Sequence, residues 1–201
     1  MTAAKRFCDF FLALILGFIL LVPVAITALL ILIRDGRPIF YISERMKTQT
    51  EGFNLVKFRT MKTVVSDSGV SGGDKADRIT TTGRFMRRTR LDEVPQLWNV
   101  LKGDISFVGP RPPLRQYVER FPDIYREVLK SRPGITGLAS VHFHAHEEWL
   151  LARARTAAET DEIYCRTCVP KKARLDLIYQ KHRNLCMDAV IMLKTVFKSL
   201  R

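Results

Sequence analysis

Two adjacent acids, Asp92 and Glu93, follow a run dense in arginine: Arg84, Arg87, Arg88 and Arg90. Carboxylates beside clustered guanidinium groups suit chemistry on an anionic centre, where a carboxylate serves as nucleophile, base or metal ligand. Leu91, Val94, Leu97, Trp98 and Leu101 recur at helical spacing. Pro95 fits a first helical turn, where its missing donor is not needed. The pair is therefore predicted to open an amphipathic helix that stops at Lys102-Gly103. The helix dipole also favours acids there, so a purely structural role stays open on spacing alone. Neighbours on a regular helix diverge, so a functional reading must give the two carboxylates different jobs.

Other cations recur in short motifs: Lys57-Phe58-Arg59-Thr60-Met61, Arg87-Arg88 and Pro110-Arg111-Pro112. Singly, each reads as a solvated charge. Together with a proline-fixed turn at Val108 to Pro113, they could assemble a diphosphate site, with guanidinium forks gripping phosphate and Lys adding a point charge. His142, His144 and His146 would share one face of an extended segment and could then bind metal. Cys165 and Cys168 form a lone C-x-x-C without a second pair at zinc spacing, which favours an incidental or structural role. Nothing suggests a disulfide framework, which points to a reducing compartment.

These residues need elements to hold them. Ile39 to Ile42 and Phe53 to Phe58 read as β-runs. The stretch Ser66 to Asp74 is rich in turn residues. Tyr117 to Leu129 reads as a helix pair interrupted by Pro122, Arg132 to Gly137 as a turn, and Trp149 to Cys165 and Arg174 to Lys198 as helices. The predicted class is mostly α with a small β component. Near the N-terminus, Phe10 to Ile33 carries no charge over 24 positions, above the ~20 needed to cross a bilayer core. That run is too long for a signal-peptide core of ~7–15 residues. Pro23 lies inside it, and basic residues flank both ends, so a spanning helix and a re-entrant helix are equally consistent with it.

The chain has 201 residues, with 33 Lys and Arg against 20 Asp and Glu, for a net charge of +13. Hydrophobic residues make up 47%, which excludes a disordered chain. With 11 Gly and 4 Cys, collagen-like and disulfide-scaffold classes fall away as well. The basic balance calls for an anionic partner: nucleic acid, an anionic membrane surface or a phosphate-bearing substrate. Nucleic acid is not expected as a partner, because the cations lie scattered among turns and no zinc finger or RNA-binding module is recognisable. A non-catalytic scaffold is the remaining rival.

Four motifs in order resemble the small monotopic phosphoglycosyl transferases, the bacterial sugar transferases. They are Lys57 to Met61, Leu91 to Asp104 (LDEVPQLWNVLKGD), Val108 to Pro112 and Arg132 to Leu138 (RPGITGL). The resemblance implies that a UDP-sugar passes its sugar-1-phosphate to polyprenol (undecaprenyl) phosphate and releases UMP. It implies Asp92 as a nucleophile that forms a covalent phosphosugar intermediate, Glu93 tied to Mg²⁺, and Lys57, Arg87 and Arg111 on the substrate phosphates. It further implies a re-entrant membrane helix over residues 1–37, broken at Pro23, and a compact interfacial catalytic domain over residues 38–201. That domain would sit on the cytoplasmic face of the bacterial inner membrane, among anionic lipids and downstream glycosyltransferases. The cations then divide between the diphosphate site and membrane-facing edges that include Lys5, Arg6, Arg34, Arg37, Lys194 and Lys198. The chain departs from the family pattern at Val22, Arg45-Met46-Lys47, Arg90 and Ala139 to His144, the last being an expected contact for sugar or nucleotide.

Overall fold

The computed structural model describes residues 2–64, 69–70 and 72–199. Ser66 to Ser68 and Ser71 of the turn-rich stretch lie outside the described residues. Helix dominates, as the periodicity predicts. The order is α1 (Ala3–Ile19), α2 (Leu21–Arg34), β1 (Phe40–Met46), β2 (Gly52–Phe58), a 3₁₀ turn (Gly73–Arg78), α3 (Thr81–Thr89) and a second 3₁₀ turn (Leu91–Gln96). Then come α4 (Leu97–Lys102), β3 (Ser106–Val108), α5 (Arg115–Arg120), α6 (Pro122–Val128), β4 (Gly134–Thr136), α7 (Leu138–Leu151) and α8 (Ala157–Ile163). A π-helical turn (Tyr164–Cys168), α9 (Val169–His182) and α10 (Leu185–Ser199) complete the described chain.

The strands form two separate pairs. β1 and β2 are an antiparallel hairpin in the register Phe40↔Phe58 to Met46↔Gly52. β3 and β4 pair in parallel, Ser106 with Gly134 and Val108 with Thr136. β4 lies inside Arg132 to Gly137, which the sequence reads as a turn, and β3 ends at Val108, where the proline-fixed turn starts. Three-residue strands flanked by Gly and Pro carry too little alternation to register as β-runs.

Three helical expectations are corrected. Arg174 to Lys198 is not one helix: α9 ends at His182 and α10 begins at Leu185. The stretch Trp149 to Cys165 is not one helix. α7 ends at Leu151, and Thr156 opens α8 by accepting the Glu159 amide on its hydroxyl at 3.2 Å. Thr156-Ala157-Ala158-Glu159 has the spacing of a capping box, the signal that a new helix starts there. The helix expected from Leu91 to Leu101 begins instead as a 3₁₀ turn, and α4 follows only at Leu97. In an α-helix the Pro95 ring would clash with the Leu91 carbonyl four residues back, and the tighter 3₁₀ turn avoids this.

The apolar N-terminal run is bent. No single helix among the described residues is long and apolar enough to cross a membrane, and α1 with α2 passes that test only as a pair bent by 61°. The break sits at Leu20 rather than at Pro23. Pro23 still explains its place, because the ring excludes the carbonyl four residues back, which is Ile19, the last residue of α1. Phe18, Ile19, Leu21 and Val22 form an exposed apolar apex, with Phe18 84% accessible.

Both ends of this pair are tied to the rest of the molecule by polar contacts. Lys5 Nζ pairs with Asp188 of α10 at 2.5 Å, and Asp188 also accepts from the Tyr179 hydroxyl at 2.7 Å. Arg6 donates to the Val100 and Leu101 carbonyls at the end of α4. These two cations therefore face inward and do not stand along an outer edge. At the other end, Arg59 donates to the Asp35 and Gly36 carbonyls at 2.6 and 2.7 Å. Its side chain is buried there, holding the end of α2 to the end of β2.

The core is divided. Phe53, Leu55, Leu97, Val100, Ile105, Phe107, Val108 and Tyr179 form one buried cluster under β2 and α4, which Ala13 of α1 joins. Tyr117, Val118, Tyr125, Val128, Phe143, Tyr164 and Cys168 form another between α5, α6, α7 and α9. Tyr125, Val128 and Tyr164 of the second cluster also line the cleft that holds the site.

Candidate active site

Four elements position the charged groups. Buried Asn99 of α4 accepts the Val56 amide at 3.1 Å and donates to the Asn54 carbonyl at 2.8 Å. This clamps β2 onto α4 and fixes the direction of Lys57. Arg87 leaves α3 and donates from Nε to Thr60 Oγ1 at 3.0 Å. The helix can approach Thr60 only because residue 83 is glycine: a Cβ there would lie 2.1 Å from the Thr60 carbonyl oxygen. Arg90 joins α3 to the 3₁₀ turn in the left-handed region, with φ 59°, where a side chain other than glycine is uncommon. This sharp joint turns Asp92 and Glu93 back toward β2.

The two acids part company, as their adjacency requires. Glu93 Oε1 accepts from Arg111 Nη2 at 2.9 Å, and Oε2 lies 3.5 Å from Arg90 Nη1. Asp92 is buried, 7% exposed, and has no hydrogen-bond or ion-pair partner among the described residues. Both acids line a cavity of ≈ 550 Å³, together with Lys57, Arg87, Arg90 and Arg111. All five site residues expected from the sequence, Lys57, Arg87, Asp92, Glu93 and Arg111, are thus brought to one cleft. Pro23 is not in its lining. Arg59 borders the cleft, but its guanidinium is spent on the α2 carbonyls.

The electrostatics follow from crowding. Burial raises the Asp92 pKa, and neighbouring Glu93 adds to the rise, against Lys57, Arg111 and Arg87. Burial also works to raise Glu93, but Arg111 and Arg90 outweigh it and hold that carboxyl below its ordinary value. Lys57 is lowered to about 8, first by burial and then by Arg111, with Asp92 opposing. The cleft is a cationic ring with one free, high-energy carboxylate in it. Such a ring is short of negative charge, and bound phosphates would supply it.

Two residues that sequence reasoning missed also border this ring. Arg45 donates to the Pro112 carbonyl at 3.3 Å, beside the proline-fixed turn that carries Arg111. Tyr41 lies under Lys57, with Nζ 5.4 Å from the ring centroid. Alternation along β1 could have flagged both, since residues 41 and 45 share a face.

The histidines do not converge. Residues 142–146 lie on helical α7 and not on an extended segment, so His144 points away from the face shared by His142 and His146. His146 stacks on Trp149 at 5.6 Å, while His144 lies 3.4 Å from Glu148. Cys165 and Cys168 are buried free thiols on the π-helical turn, and burial pushes the Cys168 thiol up to about 11. Among the described residues no group of three or more His, Cys, Asp or Glu converges on a metal position. The Asp92-Glu93 pair does fit Mg²⁺, an ion that takes one or two carboxylates and completes its shell with waters and phosphate oxygens.

The profile of the bacterial sugar transferase family matches residues 1–201, and the chain belongs to that family. It is 32% identical over 196 residues to the sugar transferase EpsL of Bacillus subtilis, covering 98% of this chain and 87% of that one. It is 33% identical over 176 residues to a UDP-N-acetylgalactosamine-undecaprenyl-phosphate N-acetylgalactosaminephosphotransferase of Aeromonas hydrophila, covering 85% of this chain and 37% of the relative. Over 198 residues it is 31% identical to the UDP-glucose:undecaprenyl-phosphate glucose-1-phosphate transferase of Escherichia coli, covering 96% and 39%. This chain therefore spans well under half the length of the latter two relatives.

Proposed function

We propose that this protein moves a sugar-1-phosphate from a UDP-sugar to undecaprenyl phosphate, the kind of transfer for which the Aeromonas hydrophila and Escherichia coli relatives are named. One observation carries the reading: Asp92 is a buried carboxylate without a partner, inside a cleft bordered by Lys57, Arg87 and Arg111. An Asp92 oxygen attacks the phosphorus that bears the sugar. The bond from that phosphorus to the bridging oxygen breaks, and UMP leaves with the electron pair. The acceptor phosphate then attacks the same phosphorus, and the Asp92 carboxylate is the leaving group. Two displacements let one site serve a water-soluble donor and a lipid acceptor in turn.

A carboxylate approaching a diphosphate meets like charge. Lys57, Arg87 and Arg111 offset it on the substrate oxygens and stabilise the charge that builds on UMP. Glu93 takes a different part because Arg111 and Arg90 keep it ionised and directed away from attack. Bound through Glu93 and the diphosphate, Mg²⁺ would act as a Lewis acid on the phosphoryl oxygens.

The bent helix pair is read as a re-entrant anchor over residues 1–37, with residues 38–201 as the catalytic body on the cytoplasmic face of the inner membrane. Support comes from the exposed apolar apex at Leu20 and from the docking of both ends of the pair on that body. A UMP-release screen over UDP-sugars, with undecaprenyl phosphate and Mg²⁺, tests the reading. Release with at least one donor, dependent on the lipid, is expected. Absence of release across the panel overturns it.

A further inference from the structure

Beyond the charged ring, the same cleft is walled by α6, α7 and α9, and this wall is polar in a region that is otherwise core. Lys172 of α9 donates to Glu147 Oε1 of α7 at 2.8 Å and to the Tyr164 hydroxyl at 3.4 Å. One turn along α9 from Lys172, Asp176 is 6% exposed. Its Oδ1 is buried and has no hydrogen-bond partner. The Tyr125 hydroxyl on α6 also lines the cleft and makes no hydrogen bond among the described residues. A buried carboxylate oxygen left unpaired is costly, and no described residue supplies a donor for it. Burial pushes Asp176 up to about 7, with Lys172 opposing and Glu147 adding to the rise.

We infer that Asp176, with Glu147, Lys172 and Tyr125, forms the subsite that reads the hydroxyl groups of the donor sugar, an inference that rests on the UDP-sugar reading above. The donor inventory decides between the two ends of the donor. Glu147 accepts, Lys172 donates, and the Asp176 carboxyl, raised to about 7, and the Tyr125 phenol do either. That mixed set matches a polyol, each of whose hydroxyls both donates and accepts. Uracil brings one N–H donor and two carbonyl acceptors, and would meet fewer of these groups. Position agrees, because Glu147 lies close enough to act on the Arg111 guanidinium, which also feels Asp92. The sugar is joined directly to the phosphorus under attack, whereas the base is separated from it by a second phosphate and a ribose.

The test is calorimetric binding to the full chain in detergent, with UDP, UDP-glucose, UDP-galactose and the two N-acetylhexosamine nucleotides as probes. Asp176→Ala is expected to weaken at least one UDP-sugar by about tenfold or more. UDP affinity and the melting temperature should hold, because the carboxylate removed was unpaired. Asp176→Asn, closer in shape, should change the ranking among the four sugars and leave UDP unaffected. Equal loss for UDP and for every UDP-sugar overturns the subsite and points to the base or to a structural carboxylate. Unchanged affinity for all four sugars also overturns it. If the unsubstituted protein binds neither UDP nor any UDP-sugar, the donor reading itself falls and the subsite falls with it.

Discussion

Glu93 accepts a 2.9 Å hydrogen bond from Arg111, and Asp92 beside it in sequence accepts none. One acid is thereby paired and oriented, while the other is buried without a partner among the described residues. Asp92→Asn should lower transfer by about 10⁴-fold or more, the scale seen when a group acting as nucleophile is removed. Melting temperature and membrane association should hold, since Asp92 makes no internal hydrogen bond. Radiolabelled donor without lipid acceptor should label the native protein and leave the variant unlabelled. Near-native turnover by Asp92→Asn would remove Asp92 from the nucleophile's role.

The Glu93–Arg111 pair also predicts a pH effect on stability. Arg111 and Arg90 hold the folded-state pKa of Glu93 below its ordinary value. The unfolded chain therefore takes up the proton first as pH falls, and the stabilisation present at neutral pH is lost through the acid limb. Arg111→Met should weaken that dependence and destabilise the fold by about 1–3 kcal/mol, because it leaves the buried carboxylate with only the 3.5 Å contact to Arg90. The 40% exposure of the Arg111 side chain keeps the figure at the lower end. Urea melts between pH 3 and 7 on both proteins would check it; identical pH profiles would sink it.

Lys57 gives the same sign in a more alkaline window. Its pKa is lowered to about 8, below the unfolded value, so the folded state gains stability as pH rises from about 8 toward the ordinary lysine range. Diphosphate binding runs the other way, because it needs the ammonium form. UDP affinity should weaken above about pH 8, approaching tenfold per pH unit, and Lys57→Arg should flatten the profile because guanidinium stays charged. Titration calorimetry from pH 7 to 9.5 is the measurement. A flat profile in the unsubstituted protein would exclude Lys57 from the phosphate contacts.

The cationic ring and the acid pair were legible because they sit in short contiguous motifs. The β1–β2 hairpin was legible from its β-run composition, and the α5–α6 break from Pro122. The sugar-side wall was not. Tyr125, Glu147, Lys172 and Asp176 are spread over three helices, and on each helix a lone polar residue reads as solvated surface. Lys5 and Arg6 misled for a related reason: basic residues beside an apolar run look like lipid flanks until a distant Asp188 and two α4 carbonyls claim them. The bend at Leu20 was one turn from the proline that causes it, because the ring acts on the carbonyl behind it.

Asn99 links the fold to the site, and its loss should be felt in both. It is 1% exposed and bonds Val56, Asn54 and Asp104. Asn99→Ala leaves a strand amide and a carbonyl unpaired, at a cost of about 2–3 kcal/mol. Lys57 would lose its fixed direction, so KM for the donor should rise along with the fall in stability. Asn99→Asp keeps the acceptor for Val56 but sets a carboxylate against the Asn54 carbonyl and Asp104, so it should rescue neither stability nor KM. Chemical denaturation and donor kinetics on the two variants separate these effects; a stable, fully active Asn99→Ala would show that the clamp is dispensable.

The anchor prediction turns on which contacts fix its path. Pro23 sets the bend, but Lys5 and Arg6 hold the start of α1 to α10 and α4, while Arg59 holds the end of α2 to β2. Both ends are therefore bound to one body, and a straight helix would have to break one set of contacts. Pro23→Ala alone should leave Thr2→Cys and Asp35→Cys labelled from the same face of the membrane, in a background lacking Cys8 and Cys186. Combining Pro23→Ala with Asp188→Asn and Arg6→Ala should free the N-terminus and move Thr2→Cys to the opposite face in part of the population. Phe18→Cys at the apex should resist a membrane-impermeant thiol reagent from either side. Labelling of Thr2→Cys from outside intact cells, with no other substitution, would overturn the re-entrant anchor.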